Sequence, residues 1–192
     1  MKKLLLVCMI LGSLVSAKVI GGITYSNVSG NDVEEEFGLD PENLLGFKFG
    51  FEFTSPSNGL ITGAAFSQRG FSLSENPVSL KWKVNYLTGF ILKPIPIQPG
   101  IDFLVGGEAG YYIGGNLELC LDGECDDEDI DSDDWDDRFG GQMIDFGPVV
   151  GLRYEISETM SLNGTYYFGL AEWGDDMDPK NRGFQFYLSL GM

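Results

Sequence analysis

The sequence predicts an all-β fold: an eight-stranded antiparallel up-and-down transmembrane β-barrel. Three observations point there. Beyond the N-terminal segment, nothing is apolar over the roughly 20 residues that a spanning helix needs. Segment after segment instead alternates bulky apolar with small or polar residues, the period of a strand. The connections between those segments alternate between long and short, as they do in outer-membrane barrels.

In chain order, residues 1–17 read as a signal peptide. Lys2 and Lys3 form its basic start, Leu4 to Leu14 its apolar stretch, and Ser13, Val15 and Ala17 an imperfect small-x-small cleavage site. Cleavage near Ala17 is expected to leave 18–192 as one barrel domain, exported to the outer membrane. A weak strand near 18–26 comes first. Next, Leu45, Phe47, Phe49, Phe51 and Phe53 alternate with Gly46, Lys48, Gly50 and Glu52. A second weak strand lies near 60–68. Leu80, Trp82, Val84 and Tyr86 then alternate with Lys81, Lys83 and Asn85. Ile101 to Tyr111 follows, with Phe103, Val105 and Ala109 set against Asp102 and Glu108. Ile144, Phe146, Val150, Leu152, Tyr154 and Ile156 oppose Asp145, Gly147, Gly151, Arg153 and Glu155. Met160, Leu162, Tyr166, Phe168 and Leu170 oppose Ser161, Asn163, Thr165 and Tyr167. Phe184, Phe186, Leu188, Leu190 and Met192 make the last apolar face. Such barrels usually end on an aromatic residue, whereas this chain ends on Met192.

Long connections are expected near 27–43, 69–78, 115–138 and 172–182. Short ones are expected at Ser55–Gly59, Lys93–Pro99 and Ser157–Thr159. Successive strand side chains point to opposite faces. The bulky face suits lipid, and the face of glycines and scattered charges suits the crowded interior of a small barrel. Phe49, Phe51, Trp82 and Leu188 are thus assigned to the outer wall. Lys48, Glu52, Lys81, Lys83, Glu108, Asp145, Arg153 and Glu155 are assigned to the lumen as a neutralising polar core. Two other assignments fit the same pattern less well: a secreted lipocalin-like barrel binding an apolar ligand, and a narrow channel.

The chain contains no histidine, which removes Ser-His-Asp triads and His-bound metals, and no pair of carboxylates marks a cleft. A non-enzymatic, structural or interaction role is expected, with no resident cofactor. The net charge of −17 excludes nucleic acid as a partner. The stretch Asp122–Asp137 holds eleven carboxylates in sixteen residues. A solvated acidic loop is the plain reading, because like-charge blocks repel. Hard cations prefer such oxygen ligands, so weak Ca²⁺ binding is the sharper one, with Asp126, Asp127, Asp129, Asp131, Asp133 and Asp134 as ligands. The spacing is not that of an EF-hand, which would place Gly at Asp134 and Glu at Gly140. Cys120 and Cys125, close together in an exported chain, are expected to form a local disulfide. Outer-membrane lipid is the expected partner, with divalent cations or surface polymers meeting the acidic rim.

Several short stretches resemble the PorT-like outer-membrane β-barrel proteins, a group related in architecture to small barrels such as OmpX and OmpA. They are Ala65-Phe66-Ser67-Gln68-Arg69-Gly70, Asn85-Tyr86-Leu87 through Lys93-Pro94, and Gly106-Gly107-Glu108-Ala109-Gly110-Tyr111-Tyr112. Asp145-Phe146-Gly147, Gly151-Leu152-Arg153-Tyr154 and Tyr167-Phe168-Gly169-Leu170 complete the set. The resemblance spans most of the mature chain. It implies the fold and an outer-membrane location and brings no catalytic residues.

Overall fold

The computed structural model describes residues 16–29, 40–75, 77–122, 124–131, 135, 143–172 and 179–191. Its strands are β1 (Ser16–Ser29), β2 (Glu42–Thr54), β3 (Ile61–Glu75), β4 (Val78–Gln98), β5 (Ile101–Leu121), β6 (Glu124–Ile130), β7 (Ile144–Ser157), β8 (Met160–Phe168) and β9 (Lys180–Gly191). Every pairing is antiparallel. Strands β1 to β5 pair in sequence, β5 pairs with β7, and β7, β8, β9 and β1 complete the ring. Eight strands therefore close a barrel, and β6 stands outside it against the upper part of β5. Closure follows from the solvent: an open edge in hydrocarbon would leave a row of backbone groups unpaired.

At one end, taken as inner, the turns are tight, as the sequence indicates. In Ser55–Leu60, Gly59 sits at φ 65° and the Asn58 side chain accepts from Leu60 N. Gly100 turns at φ 77° after Pro99. One expectation fails at this inner end: Lys93 to Gln98, expected as a turn, belong to β4, and the turn is confined to Pro99-Gly100. At the other end, too, the structure departs from expectation. Residues 69–78 are mostly strand, with β3 running to Glu75 and β4 starting at Val78. Residues 115–121 and 124–130, expected as loop, are paired strands, with Cys120 opposite Cys125. Asp122, at φ 52°, turns the chain between them. The sequence Asp122-Gly123 is a strong hairpin dipeptide, a local signal that outweighs the like-charge repulsion that argued for a loop.

Strands β4 and β5 each have 21 residues, about ten more than a tilted strand needs to cross a bilayer. Their outer halves stand above it, and there the patterning reverses. Within the band Phe49 is 54% exposed, Phe146 49% and Leu188 40%, all on the outer wall, while the polar residues face in. Above the band, Phe71, Leu73, Val84, Tyr86, Tyr112, Ile130 and Trp135 pack inward as an apolar core, with Leu80 and Trp82 against it. Water outside requires the soluble arrangement, lipid outside the inverted one. The assignment of Trp82 to the lipid wall is therefore wrong, as is the facing of the Leu80–Tyr86 run. Trp82 packs on Phe71 and edge-on to Trp135. A register shift between Asn85 and Tyr86, opposite Gly114 at φ 135°, separates the two halves of the β4–β5 pair. The extra residue, Ile113, lies in β5 and exchanges the faces of that strand; β4 keeps its even-numbered side chains inward on both sides of the shift.

Candidate functional site

The barrel interior holds two linked polar clusters. Towards the inner end, Arg153 Nη2 donates to both Glu52 oxygens at 2.8 and 2.9 Å. Its Nε donates to Asn163 Oδ1 at 2.7 Å, and Asn163 Nδ2 donates to Ser189 Oγ at 2.9 Å. Nearer the outer end, Lys48 Nζ donates to Glu108 Oε2 and to Gln185 Oε1, each at 2.6 Å. Arg69 bridges two carboxylates, Asp145 at 2.8 Å and Glu108. Asp145 also accepts from the Tyr167 hydroxyl at 2.7 Å and from Asn181 Nδ2 at 2.9 Å. The Arg69 guanidinium lies 4.0 Å from the Tyr167 ring centre, and the Lys48 ammonium 5.0 Å from that of Phe90. Charges this deep are costly unless each is paired and hydrogen-bonded; each of these is, although Arg69 Nε and Asn181 Oδ1 are left without a partner among the described residues.

Of the eight charges assigned to the lumen, Lys48, Glu52, Glu108, Asp145 and Arg153 are buried there. Glu155 is exposed at the inner rim, and Lys81 and Lys83 stand on the outer arm beside Glu118, at 2.6 and 3.8 Å. Arg69 and Lys18 are buried without having been assigned. The signal for Arg69 was present: Ala65, Ser67 and Arg69 continue one small-to-polar face. The supposed long connection at 69–78 cut that face short.

The network leaves little room. A cavity lined by Thr24, Ser26, Arg69, Tyr167 and Gln185 holds about 10 Å³, close to the minimum for a single water. Above it Tyr112 stacks on Trp135 at 4.3 Å and meets Tyr86 edge-on, and the Tyr112 hydroxyl donates to Ile130 O at 2.7 Å. The aromatic core caps the polar lumen.

The acidic segment is an arm. Asp126, Asp127 and Asp129 lie on β6 and Asp131 just beyond it, all exposed; Asp133 and Asp134 lie outside the described residues. Successive strand residues point to opposite sides, so Asp126 and Asp127 do not converge. Among the described residues, Glu118, Cys120 and Cys125 are the one trio of potential metal-binding side chains drawn together. The two sulfurs of that trio are bonded to each other as a disulfide. Lys81, by its hydrogen bond and then its charge, holds the Glu118 carboxyl below its ordinary pKa.

No protein-family model and no curated protein sequence matches the chain. The fold does match solved structures of small outer-membrane barrels. Neisserial surface protein A (NspA) superposes over 93% of this chain and 99% of its own, with a TM-score of 0.58 and 12% identity. Ail, the attachment invasion locus protein of Yersinia pestis, superposes over 92% and 98%, with a TM-score of 0.51 and 12% identity. The chain is an antiparallel eight-stranded transmembrane β-barrel of the same architecture.

Proposed function

We propose that this protein is a non-enzymatic, non-conducting outer-membrane barrel with a structural or interaction role, acting through its outer surface. One observation carries the reading: the lumen is filled by paired charges and capped by an aromatic core. A channel needs a continuous wet path, which the Lys48–Glu108–Arg69 cluster and the cap interrupt in series. A soluble barrel binding an apolar ligand needs its aromatics around a cavity. Here Phe47, Phe49, Phe51, Phe184 and Phe186 form the outer wall. The surface left for function is the outer end, where the disulfide-closed acidic arm stands clear of the bilayer. Its carboxylates suit loosely held divalent cations, which would bridge it to anionic lipid or to a surface polymer. Export rests on the signal-peptide pattern of residues 1–17, of which 1–15 lie outside the described residues. The finer PorT-like kinship rests on the sequence stretches alone. Two of them supply Arg69 and Glu108, partners in the lumen network.

Membrane fractionation with gel mobility before and after boiling tests the reading. The expected result is recovery in the outer membrane and a heat-dependent shift in mobility. Recovery in the soluble periplasmic fraction would overturn it.

A further inference from the structure

On the outer wall, a cavity of about 210 Å³ opens where β8, β9 and β1 meet the membrane boundary. Its lower lip is aromatic. Tyr25, Phe184 and Tyr166 lie side by side in register across the three strands, with Tyr166 edge-on to Phe184 at 4.6 Å. Rings at this level are the belt that marks the edge of the hydrocarbon. Two residues above Phe184 on β9, directly opposite Asn27 of β1, stands Arg182, exposed and facing outward. Among the described residues its guanidinium has no acidic partner, although neighbouring Lys180 is paired with Glu172 at 3.1 Å. Ser29 and Asn43 also line the cavity. The Ser29 hydroxyl is buried and has no hydrogen-bond partner among the described residues, an arrangement that costs stability unless something fills it.

We propose that this cavity binds the phosphate of a lipid headgroup in the outer leaflet. Arg182 supplies the charge and the forked donors that fit phosphate oxygens. The orphaned Ser29 hydroxyl supplies a further donor, and the acyl chains run down over Phe184 and Phe186. The volume equals roughly seven waters at ~30 Å³ each, enough for a phosphate group. Access decides between a lipid and a free anion. The acidic outer loops of a chain of net charge −17 repel an anion arriving from solution. A headgroup held in the membrane arrives sideways, beneath them. The proposal rests on the lipid-facing wall assigned above.

The test is native mass spectrometry of the protein in zwitterionic detergent, offered equal amounts of dioleoyl phosphatidic acid and dioleoylglycerol. The heat-dependent mobility shift certifies folding of each variant independently. Wild type is expected to retain the phosphatidic acid preferentially. Arg182→Gln should reduce that preference about fivefold, the effect of one cation at a lipid surface. Ser29→Ala should reduce it further in the double variant, and Lys93→Gln, at the inner rim, should leave it unchanged. Equal retention of the two lipids, or an unchanged preference in Arg182→Gln, would overturn the proposal. Displacement of the lipid by an equal concentration of inorganic phosphate would assign the site to a free anion and would also overturn it. A failure of the membrane reading itself would appear separately, as recovery of the protein in the soluble periplasmic fraction.

Discussion

At the scale of single residues, the structure rests on how each buried charge is met. Glu52 is fully buried and Arg153 nearly so, and each is the other's counter-ion. Truncating one leaves the other stranded. Glu52→Ala should therefore cost about 3–5 kcal/mol, read as a lower urea midpoint for loss of the mobility shift. Glu52→Leu combined with Arg153→Met should recover most of that loss, because no uncompensated charge remains. Glycines supply a second residue-scale test. A Cβ on Gly50 would lie 2.2 Å from Ala64 O and 2.5 Å from Ala65 Cα, both backbone, whereas one on outward-facing Gly89 meets nothing closer than 3.9 Å. Gly50→Ala should reduce the folded yield sharply and Gly89→Ala should leave it near wild type. The sequence made this contrast only half visible: Gly50 is legible as a lumen position from its place between Lys48 and Glu52. The backbone atoms that crowd it belong to β3, and no local pattern names them.

At the scale of the element, one strand obeys two solvents. Leu87, Ile91 and Ile95 of β4 face lipid, while Val84 and Tyr86 of the same strand face inward above it. A single rule of bulky residues outward holds in the lower half for Leu87, Ile91 and Ile95 but not for Phe90 and Leu92, which are buried in the lumen, and it inverts the upper half. The sequence marks the crossing weakly, through Asn85 and the glycine pair Gly114-Gly115. Brominated lipids give a direct check. A Trp at Phe49 should be quenched and native Trp82 should not, measured in variants keeping one Trp each. Arg at Phe49 should cost about 2–4 kcal/mol if it lies at the bilayer midplane, and Lys at the exposed arm position Leu119 should cost little. The arm adds an electrostatic prediction. Glu118 has a depressed pKa, so its pairing with Lys81 is present at neutral pH and is lost as pH falls through that lowered value. The half-exposed pair contributes only about 0–1 kcal/mol. Acid should thus loosen the β4–β5 pairing at the base of the arm, seen as lower amide protection factors at Lys81 and Glu118 after correction for the intrinsic pH dependence of exchange, without unfolding the barrel. Strand geometry splits the β6 carboxylates between two sides, so Ca²⁺ should bind no tighter than about 10⁻⁴–10⁻³ M. Calorimetry on the wild type and on the variant with Asp126, Asp127, Asp129, Asp131, Asp133 and Asp134 changed to Asn checks this. Heat that survives the six changes would end the assignment.

At the scale of the whole molecule, the barrel was legible because lipid imposes one pattern on every strand that crosses it. The face assignments for β2, β7, β8 and β9 hold for that reason, apart from Glu155, which is exposed at the inner rim, and Met192, which lies outside the described residues. What lies above the lipid was not legible. There the pattern reverts to that of a soluble sheet, and a hairpin of acidic residues is set by a turn dipeptide rather than by periodicity. The same division locates the barriers to conduction. The lower one is electrostatic and steric, with Lys48, Arg69, Glu108 and Asp145 cross-bonded over the lumen by Gln185, Asn181 and Tyr167. The upper one is apolar, with Tyr112, Trp135 and Tyr86 stacked above it. Two barriers in series do not yield to the removal of one. The wild type in a planar lipid bilayer should show no ion conductance, and Trp135→Gly with Tyr112→Ala should show none either. Small, brief openings should appear only when these changes are combined with Arg69→Ala and Glu108→Ala, which empty the network while removing charges of both signs. Conductance in the cap variant alone would mean that the buried ion pairs part readily and that the lumen is a gated path rather than a filled core.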